Sequence, residues 1–430
     1  MVSTHQLRAA FFLGLSSSAV YSSAKPLPAS SYDVPLTWTP AGFTGPISVG
    51  TPPQNLRAFF DWTWISQYVF STVCYDQKHK PFLCLNKEQA YFNESESNSF
   101  KYVPEQYPTR TWNPNHFFFY NDLTVNYATD KVTVGPSTAE VVLQASDINF
   151  NMTATSFPFA GVYGLSPVFS SDNGKLSVLT HFKLKITDSK IASTSSPFYQ
   201  GWKQGAWRAP QIAFHYCYNE SPDSAKETCG GHNATQTLGG FDKNLVKDQR
   251  IWWYPNRVFS DVNTRDFVYK PGLYNYWGLE LEALKIGDES QHITATPADH
   301  GPAAIFDHAS YGRGTPLSPN AYERLVSETG GKPVTLENPP NNGNQSFYAV
   351  DCEKTDNFPT ITYQFKGSSK EWRVTPLHYV EKANDTCVLN VRTLATGDQF
   401  IGNFGETFSK DKYIIFDYEQ LKVGIADINW

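Results

Sequence analysis

One short pattern occurs twice in this sequence and constrains the fold more than any other feature. A run of apolar residues leads directly into an aspartate at Ala58–Asp61 and again at Ala304–Asp307. An apolar-apolar-Gly step follows later in each half, at Val162–Gly164 and Phe400–Gly402. Each run alone has the composition of an ordinary buried strand ending in a polar turn. Because the two aspartates lie 246 positions apart, we expect two equivalent sites in separate folding units.

The rest of the chain predicts a mostly β protein. Of its 430 residues, 40% are hydrophobic, so a large core can form. Two stretches, Leu176–Leu184 and Ser318–Glu328, favour helices, the second because Pro319 follows a capping serine. Short β-branched or aromatic runs bounded by Gly, Pro, Asn and Asp favour strands elsewhere. The clearest are Lys131–Gly135, Glu140–Leu143, Leu279–Ile286 and Tyr413–Asp417.

The first residues predict an export signal. Arg8 supplies a positive charge, residues 9–20 are apolar, and small residues precede Ala24. We therefore expect a signal peptide over residues 1–24 and a mature protein that is secreted or lies in the secretory pathway or vacuolar lumen. The alternative is a buried first helix. No other segment has the run of apolar residues that a membrane span needs.

Cysteines and glycosylation sequons agree with an oxidising, extracellular destination. An even number of cysteines is typical of disulfide frameworks, although connectivity is not fixed by sequence. The six cysteines form three sequence-local couples, Cys74/Cys84, Cys217/Cys229 and Cys352/Cys387. The six sequons lie at Asn93, Asn151, Asn219, Asn233, Asn344 and Asn384.

Charge and motifs exclude several classes of function. A formal net charge of −6 argues against nucleic acid as a partner. The Gly-x-Ser-x-Gly elbow of serine hydrolases does not occur, nor do His-Glu-x-x-His or Cys-x-x-Cys metal motifs, so we expect no metal and no cofactor. His308 next to Asp307 is a weak candidate for an acid–base pair, because adjacent strand residues point to opposite faces.

Several motifs in order show a resemblance to the pepsin-like aspartic proteases over nearly the whole mature chain. The resemblance implies two β-barrel-like lobes with a central cleft, the N-terminal lobe with its flap and the inter-lobe sheet over residues 25–250 and the C-terminal lobe over 251–430. It also implies a monomer that takes a peptide or protein into the cleft. The motifs are Ile47–Gln54, Phe119–Tyr120, Asp130–Gly135, Leu238–Asp242, Tyr276–Leu281, Ile401–Asn403, Tyr413–Asp417 and Val423–Ala426.

The resemblance assigns Asp61 and Asp307 as the catalytic pair. Two carboxyls in contact cannot both ionise cheaply, so they share a proton, and one activates water while the other polarises the peptide carbonyl. Tyr120 matches the flap tyrosine that covers substrate, with Asp122 at the flap tip. The tip has no glycine, whereas flap closure needs backbone freedom.

The residues after each aspartate depart from the family's Asp-Thr-Gly or Asp-Ser-Gly. Trp62 and His308 replace the hydroxyls that brace the opposite loop, and Thr63 and Ala309 replace the glycines. Backbone donors remain at the glycine positions, but added Cβ atoms are able to displace them. Two or three lost hydrogen bonds to a charged group slow chemistry by roughly 10²–10⁶-fold. At the fourth position, Trp64 lacks a hydroxyl and Ser310 keeps one.

Two functions therefore remain open at this point. The first is a secreted aspartic endopeptidase with weakened or altered activity, based on the surviving aspartates. The alternative is a catalytically inactive pepsin-fold protein that binds a partner through its cleft or surface. The altered Asp-Trp-Thr and Asp-His-Ala triplets favour the second function. So does the short segment between the expected cleavage after Ala24 and the first strand, whose only basic residue is Lys25.

Overall fold

The structure is a computed structural model. It describes residues 30–39, 42–64, 67–75, 81–83, 90–103, 110–112, 123–146, 159–167, 196–217, 233–257, 276–293, 302–307, 314–335, 347–383, 385–393 and 401–429.

Strands dominate these residues, as the sequence predicts, and the four runs singled out above lie in or overlap β9, β10, β15 and β27 as defined here. The strands of the first part of the chain are β1 Tyr32–Thr39, β2 Gly42–Val49, β3 Gln54–Asp61, β4 Gln67–Phe70, β5 Val73–Tyr75, β6 Pro81–Leu83, β7 Lys101–Tyr102, β8 Arg110–Trp112, β9 Leu123–Val134, β10 Ser137–Ser146, β11 Gly161–Gly164, β12 Gln211–Tyr216, β13 Ala234–Leu238 and β14 Trp252–Pro255. Those of the second part are β15 Gly278–Ile286, β16 Glu289–Ser290, β17 Ala303–Phe306, β18 Thr315–Pro316, β19 Lys332–Val334, β20 Phe347–Val350, β21 Ile361–Phe365, β22 Glu371–Val374, β23 Val380–Ala383, β24 Thr386–Leu389, β25 Val391–Arg392, β26 Asn403–Phe404, β27 Lys412–Asp417 and β28 Lys422–Asp427.

The helices are short. They are α1 Pro197–Lys203, α2 Pro319–Thr329, α3 Pro376–Tyr379 and α4 Glu406–Ser409, with 3₁₀ turns at Glu94–Glu96, Lys243–Leu245, Lys247–Gln249 and Cys352–Asn357. The predicted helix at Ser318–Glu328 is confirmed as α2, which begins at Pro319 and ends at Thr329. Gly330 follows it in the left-handed conformation (φ 65°). The stretch Leu176–Leu184 lies outside the described residues.

One large sheet joins the two halves of the chain. Its strand order is β14-β28-β27-β12-β13-β1-β2-β3-β11-β4-β10-β9-β7. The first six of these strands pair antiparallel and come from both halves, with β12 next to β27 at the centre. We call these six strands the inter-lobe sheet. Together with a second sheet built around β15, β17 and β21, it confirms the mostly β, two-lobed fold that the resemblance implies.

The repeated strand-to-aspartate pattern becomes a repeated piece of structure. In the first half, β3 runs parallel to β11 and brings Asp61 opposite Gly164. In the second half, β17 runs parallel to β26, so that the strand before Asp307 lies beside the segment after Gly402. Both strands are buried along the residues leading to the aspartate. Each aspartate is therefore held at the end of a rigid, core-packed parallel pair.

One predicted disulfide lies entirely within the described residues. The couple Cys352/Cys387 forms a disulfide, with Cα atoms 5.4 Å apart. Cys217 is also disulfide-bonded. Cys84 and Cys229 lie outside the described residues, and Cys74 is described only in its backbone.

Across the described ranges, no helix is long and apolar enough to cross a membrane.

Two buried histidines make the fold sensitive to acid. His215 lies in the inter-lobe sheet, and burial lowers its pKa to about 4 against the pull of Asp33 and Asp242. His378 lies in α3, and burial lowers its pKa to about 4 as well, helped by two nearby lysines and opposed by Asp411. Each side chain is thus neutral in the folded protein at pH values where the unfolded chain binds a proton.

We predict that stability falls as the pH drops from 6.5 towards 4. The unfolded state binds more protons in that window, so each histidine contributes roughly 3 kcal/mol above pH 6.5 that is lost by about pH 4. His378→Leu should flatten this slope, measured by denaturant unfolding at pH 4.0 and 6.5. His292→Leu, at an exposed position, is the control. An unchanged slope in His378→Leu would contradict the assignment.

Candidate active site

Asp61 stands at the last position of β3 and is nearly buried, with 7% of its surface exposed. Its backbone carbonyl accepts a hydrogen bond from Leu165 N at 2.7 Å, which continues the parallel pairing with β11. The main chain of Asp61 is therefore fixed on one side by the sheet. Its side chain emerges where the strand ends and the chain turns.

The Asp61 carboxylate has three donors, and all of them reach Oδ1. Thr63 donates twice, from its backbone N–H at 2.7 Å and from its hydroxyl Oγ1 at 2.7 Å. The backbone N–H of Trp64 donates at 3.2 Å. Thr63 in place of glycine therefore keeps the backbone donor that its Cβ was able to displace. It also adds a hydroxyl donor that a glycine at this position cannot supply.

Burial and hydrogen bonding act in opposite directions on Asp61. Removal from water raises its pKa, since the charged form loses hydration. The Thr63 hydroxyl, the Thr63 backbone and the Trp64 backbone each lower it, but the pKa stays above its ordinary value. A carboxyl of this kind carries a proton more readily in mildly acidic solution than an exposed aspartate does.

Asp307 follows β17 directly and is buried to a similar extent, with 5% exposed. Its backbone N–H donates to Phe404 O at 3.1 Å, and its Oδ2 accepts from Asn403 Nδ2 at 2.8 Å. Asn403 lies on β26, immediately after Gly402. Asn403 belongs to the motif Ile401–Asn403, from which no role for it could be predicted. The parallel pairing of β17 with β26 is the signal that places it beside Asp307.

A single phenylalanine in the inter-lobe sheet links the two aspartate-bearing segments. The ring of Phe416 lies 5.2 Å from the ring of Trp62, the residue after Asp61. It also lies 5.7 Å from the ring of Phe306, the residue before Asp307. These contacts bring both segments to the same part of the inter-lobe sheet.

Hydrogen bonds across the lobes support the same arrangement. Leu165 O, next to the Asp61 backbone, accepts from Trp277 Nε1 at 2.8 Å and from Tyr418 Oη at 2.6 Å. The Trp277 carbonyl in turn accepts from Phe306 N at 2.7 Å. A short chain of buried hydrogen bonds therefore runs from the backbone of Asp61 to the residue before Asp307.

The two tryptophans after Asp61 differ in their surroundings. Trp62 is fully buried and lies against the inter-lobe sheet, with its ring 4.8 Å from the ring of Phe214. Trp64 is half-buried, and its ring lies 5.7 Å from that of Tyr68. Of the two residues, only Trp64 is partly exposed to solvent.

Several predicted site residues are not among those described. Tyr120 and Asp122 fall within residues 113–122, which connect the paired strands β8 and β9. His308, Ala309 and Ser310 follow Asp307 directly and also lie outside. Their roles stay predictions.

Two of the six predicted glycosylation sites are described, and both are half-buried. The Asn93 side-chain oxygen accepts from Ser95 Oγ at 2.7 Å, which joins the two polar residues of that sequon. The Asn233 side-chain oxygen accepts from Trp38 N at 2.8 Å. In both cases the hydrogen bond uses the oxygen and not the amide nitrogen to which a glycan attaches. The other four, Asn151, Asn219, Asn344 and Asn384, lie outside the described residues.

Comparisons with known proteins agree with this geometry. A sequence model of the family described as eukaryotic aspartyl protease matches residues 42–428. The chain is 50% identical over 416 residues to the aspartic protease-like protein pytH of Aspergillus terreus, with 93% of each chain covered. It is 42% identical over 410 residues to a probable secreted aspartic protease of Arthroderma benhamiae, again with 93% of each covered. It is 30% identical over 429 residues to the secreted aspartic protease LUC8 of a Fusarium species, with 93% of this chain and 91% of the relative covered.

A two-lobed β fold with a buried aspartate at the end of an equivalent strand in each half is the framework of an aspartic protease. The chain belongs to the eukaryotic aspartyl protease family.

The Thr63 hydroxyl gives a direct test of how Asp61 is held. Thr63→Val removes the hydroxyl and keeps the shape and the backbone N–H, so we predict that the pKa of Asp61 rises further. The loss of one hydrogen bond to a charged group corresponds to about 1.5–3 kcal/mol, or roughly one to two pKa units. The measurement is the pH titration of the Asp61 carboxyl carbon by NMR. Thr63→Ser keeps a hydroxyl and should titrate as the wild type does. Equal titration of the valine and serine variants would contradict this role.

Proposed function

We propose that this protein is a secreted aspartic endopeptidase that cleaves extended peptides at hydrophobic residues in acidic solution, with activity weaker than that of family members with intact motifs. The observation that carries the proposal is the set of three donors on Asp61 Oδ1. Any buried carboxylate needs donors to offset its lost hydration, but three donors on one oxygen also fix the orientation of the carboxyl group. A carboxylate that must hold a water in a fixed place requires them.

In this proposal, Asp61 and Asp307 share one proton across the cleft between the lobes. The ionised carboxyl takes a proton from a water molecule, and the resulting hydroxide attacks the peptide carbonyl carbon. The protonated carboxyl transfers its proton to the carbonyl oxygen, which becomes a hydroxyl of the tetrahedral intermediate. That intermediate collapses when the carboxyl that took a proton from water passes it to the leaving amine. The C–N bond breaks, and the other carboxylate takes back a proton from the hydroxyl, which restores the shared proton. The raised pKa of Asp61 suits a group that carries the shared proton in mild acid.

The altered triplets support a reduced rate rather than a complete loss. Trp62 cannot supply the hydroxyl cross-brace that the family uses. Thr63, however, returns one hydroxyl donor to the dyad, and Asn403 supplies an amide donor to Asp307. Each hydrogen bond that is kept removes about one to two decades from the slowing estimated from the sequence. The balance favours a slow peptidase.

One observation favours the alternative of an inactive binding protein. Trp64 is half-buried, and its backbone N–H reaches the Asp61 carboxylate at 3.2 Å. A tryptophan three residues after Asp61 adds bulk and an aromatic surface to the turn that carries the aspartate. In that case the cleft would hold a partner that is not cleaved.

Secretion is part of the proposal. The Arthroderma and Fusarium relatives are named as secreted proteases, and the Cys352–Cys387 disulfide is typical of proteins made in an oxidising compartment. Glycosylation at Asn93 and Asn233 is expected on the same grounds. Loss of mass after treatment of the exported protein with a peptide-N-glycosidase tests this, and an unchanged mass would contradict it.

Aspartate-dependent cleavage is the test of the proposed activity. We predict that the purified protein cleaves a denatured protein substrate between pH 3 and 6. Asp61→Ala and Asp307→Ala should each lose roughly 10²–10⁴-fold in rate, since each removes a group that transfers or holds a proton. Asp356→Asn, at an exposed position remote in sequence from both aspartates, should cleave as the wild type does.

Two outcomes would contradict the proposal. Equal turnover by the wild type and by both active-site variants would assign the cleavage to a contaminant. The second outcome is a wild-type protein that unfolds cooperatively on heating, and so is folded, but cleaves nothing across this pH range. That result would favour the alternative of an inactive binding protein.

A further inference from the structure

We infer that Trp62 is a positioning residue for Asp61 and that Trp62 acts through its buried hydrogen bond to Gln236. The inference rests on the proposed function, because it assigns a residue that orients the proposed catalytic carboxylate. Trp62 occupies the position at which the family's Asp-Thr-Gly or Asp-Ser-Gly motif has a hydroxyl side chain. The indole makes a different connection from the same position, to the inter-lobe sheet.

The bond itself is well defined. Trp62 Nε1 donates to Gln236 Oε1 at 2.9 Å, and both side chains are fully buried. The two residues are 174 positions apart, so the bond ties the turn after β3 to strand β13 in the inter-lobe sheet. A buried indole N–H without an acceptor is costly, so the pair is maintained as a unit.

The acceptor is also fixed in orientation. Gln236 Nε2 donates to Ala213 O at 2.8 Å on the neighbouring strand β12. Because the amide nitrogen faces that carbonyl, the amide oxygen must face the indole. Gln236 lies in the middle of β13, paired with Val34 on one side and Phe214 on the other. The hydrogen bond therefore anchors the indole to a part of the sheet that has little freedom to move.

Packing connects the same indole to the other aspartate. The ring of Trp62 contacts Phe214 on β12 and Phe416 on β27, the two central strands of the inter-lobe sheet. Phe416 also contacts Phe306, which precedes Asp307. One ring of the sheet thus lies against the neighbours of both aspartates. A tilt of the Trp62 indole would change the position of Asp61 relative to Asp307.

The route from the indole to the carboxylate is short. The peptide N–H groups that hold Asp61 Oδ1 belong to Thr63 and Trp64, the next two residues of the chain. A shift of Trp62 therefore moves the donors and not only the core. Because a displacement of about 1 Å at a reacting group costs up to about 10²-fold in rate, a positioning role predicts a loss of kcat.

The experiment compares the loss of two buried indole hydrogen bonds. Trp62→Phe removes the N–H and keeps an aromatic ring, and Gln236→Met removes the acceptor. Trp372→Phe is the matched control, because Trp372 is also buried and its Nε1 donates at 2.9 Å to Tyr254 Oη, away from the aspartates in the sheet order. We expect all three variants to lower Tm by similar amounts. Only the first two should lower kcat by about 10–100-fold with KM changed less than about 3-fold.

The double variant Trp62→Phe/Gln236→Met tests whether the two residues act together. If they form one brace, it should lose no more kcat than the more severe single variant. Wild-type kcat in Trp62→Phe, with Tm lowered as in the Trp372→Phe control, would overturn the inference and make Trp62 an ordinary core residue.

A second measurement does not depend on activity. With ¹⁵N-threonine labelling, hydrogen exchange of the Thr63 amide reports directly on its bond to Asp61. We expect exchange to be at least about 10-fold faster in Trp62→Phe and Gln236→Met, and unchanged in Trp372→Phe. If the wild type cleaves nothing, the proposed function fails while this measurement still decides the brace. Unchanged exchange of the Thr63 amide in both variants would overturn it.

Discussion

The packing of Phe416 in the centre of the inter-lobe sheet is the contact on which the site depends. It lies between Trp62 and Phe306, the neighbours of two aspartates that are 246 residues apart in the chain. Three strands from the second half and three from the first meet at this point, with β27 and β12 side by side. Catalysis by two carboxyls requires them to be placed within a fraction of an ångström. A buried aromatic contact within a continuous sheet is stiff enough to do this, because interiors are close-packed.

The repeated architecture could be predicted from sequence, and the local holding of the aspartates could not. The runs before Asp61 and Asp307 specify buried strands, and Gly402, with a φ of 148° and Pro316 Cβ 2.8 Å from where its own Cβ would lie, explains one glycine of the repeated pattern. The bond from Asn403 to Asp307 could not be predicted from sequence, because it joins residues 96 positions apart that the parallel pairing of β17 with β26 brings together. The bond from the Thr63 hydroxyl is different, because it is local in sequence. A threonine two residues after an aspartate can donate back to it, so the sequence does carry a signal for this bond.

The departures from the family's motif change which groups hold Asp61 in place, but Asp61 is still held. Trp62 exchanges a hydroxyl cross-brace for an indole bonded to Gln236, and Thr63 adds a donor where the family keeps glycine. Both substitutions make the turn after β3 bulkier, and both side chains are buried. The donors that remain on Asp61 agree with an enzyme of reduced rate. The same features fit a cleft that has become a binding site if Trp64 fills the space needed by substrate.

The central claim is that Asp61 and Asp307 form one proton-sharing pair above the inter-lobe sheet. A crystal structure of the exported protein at acidic pH tests it most directly. The account predicts that the nearest carboxyl oxygens of the two aspartates lie within hydrogen-bond distance, about 2.5–3.0 Å, with room for one water between them and the substrate cleft. Carboxyl groups held apart by the ring of Trp64 or by another side chain would contradict it.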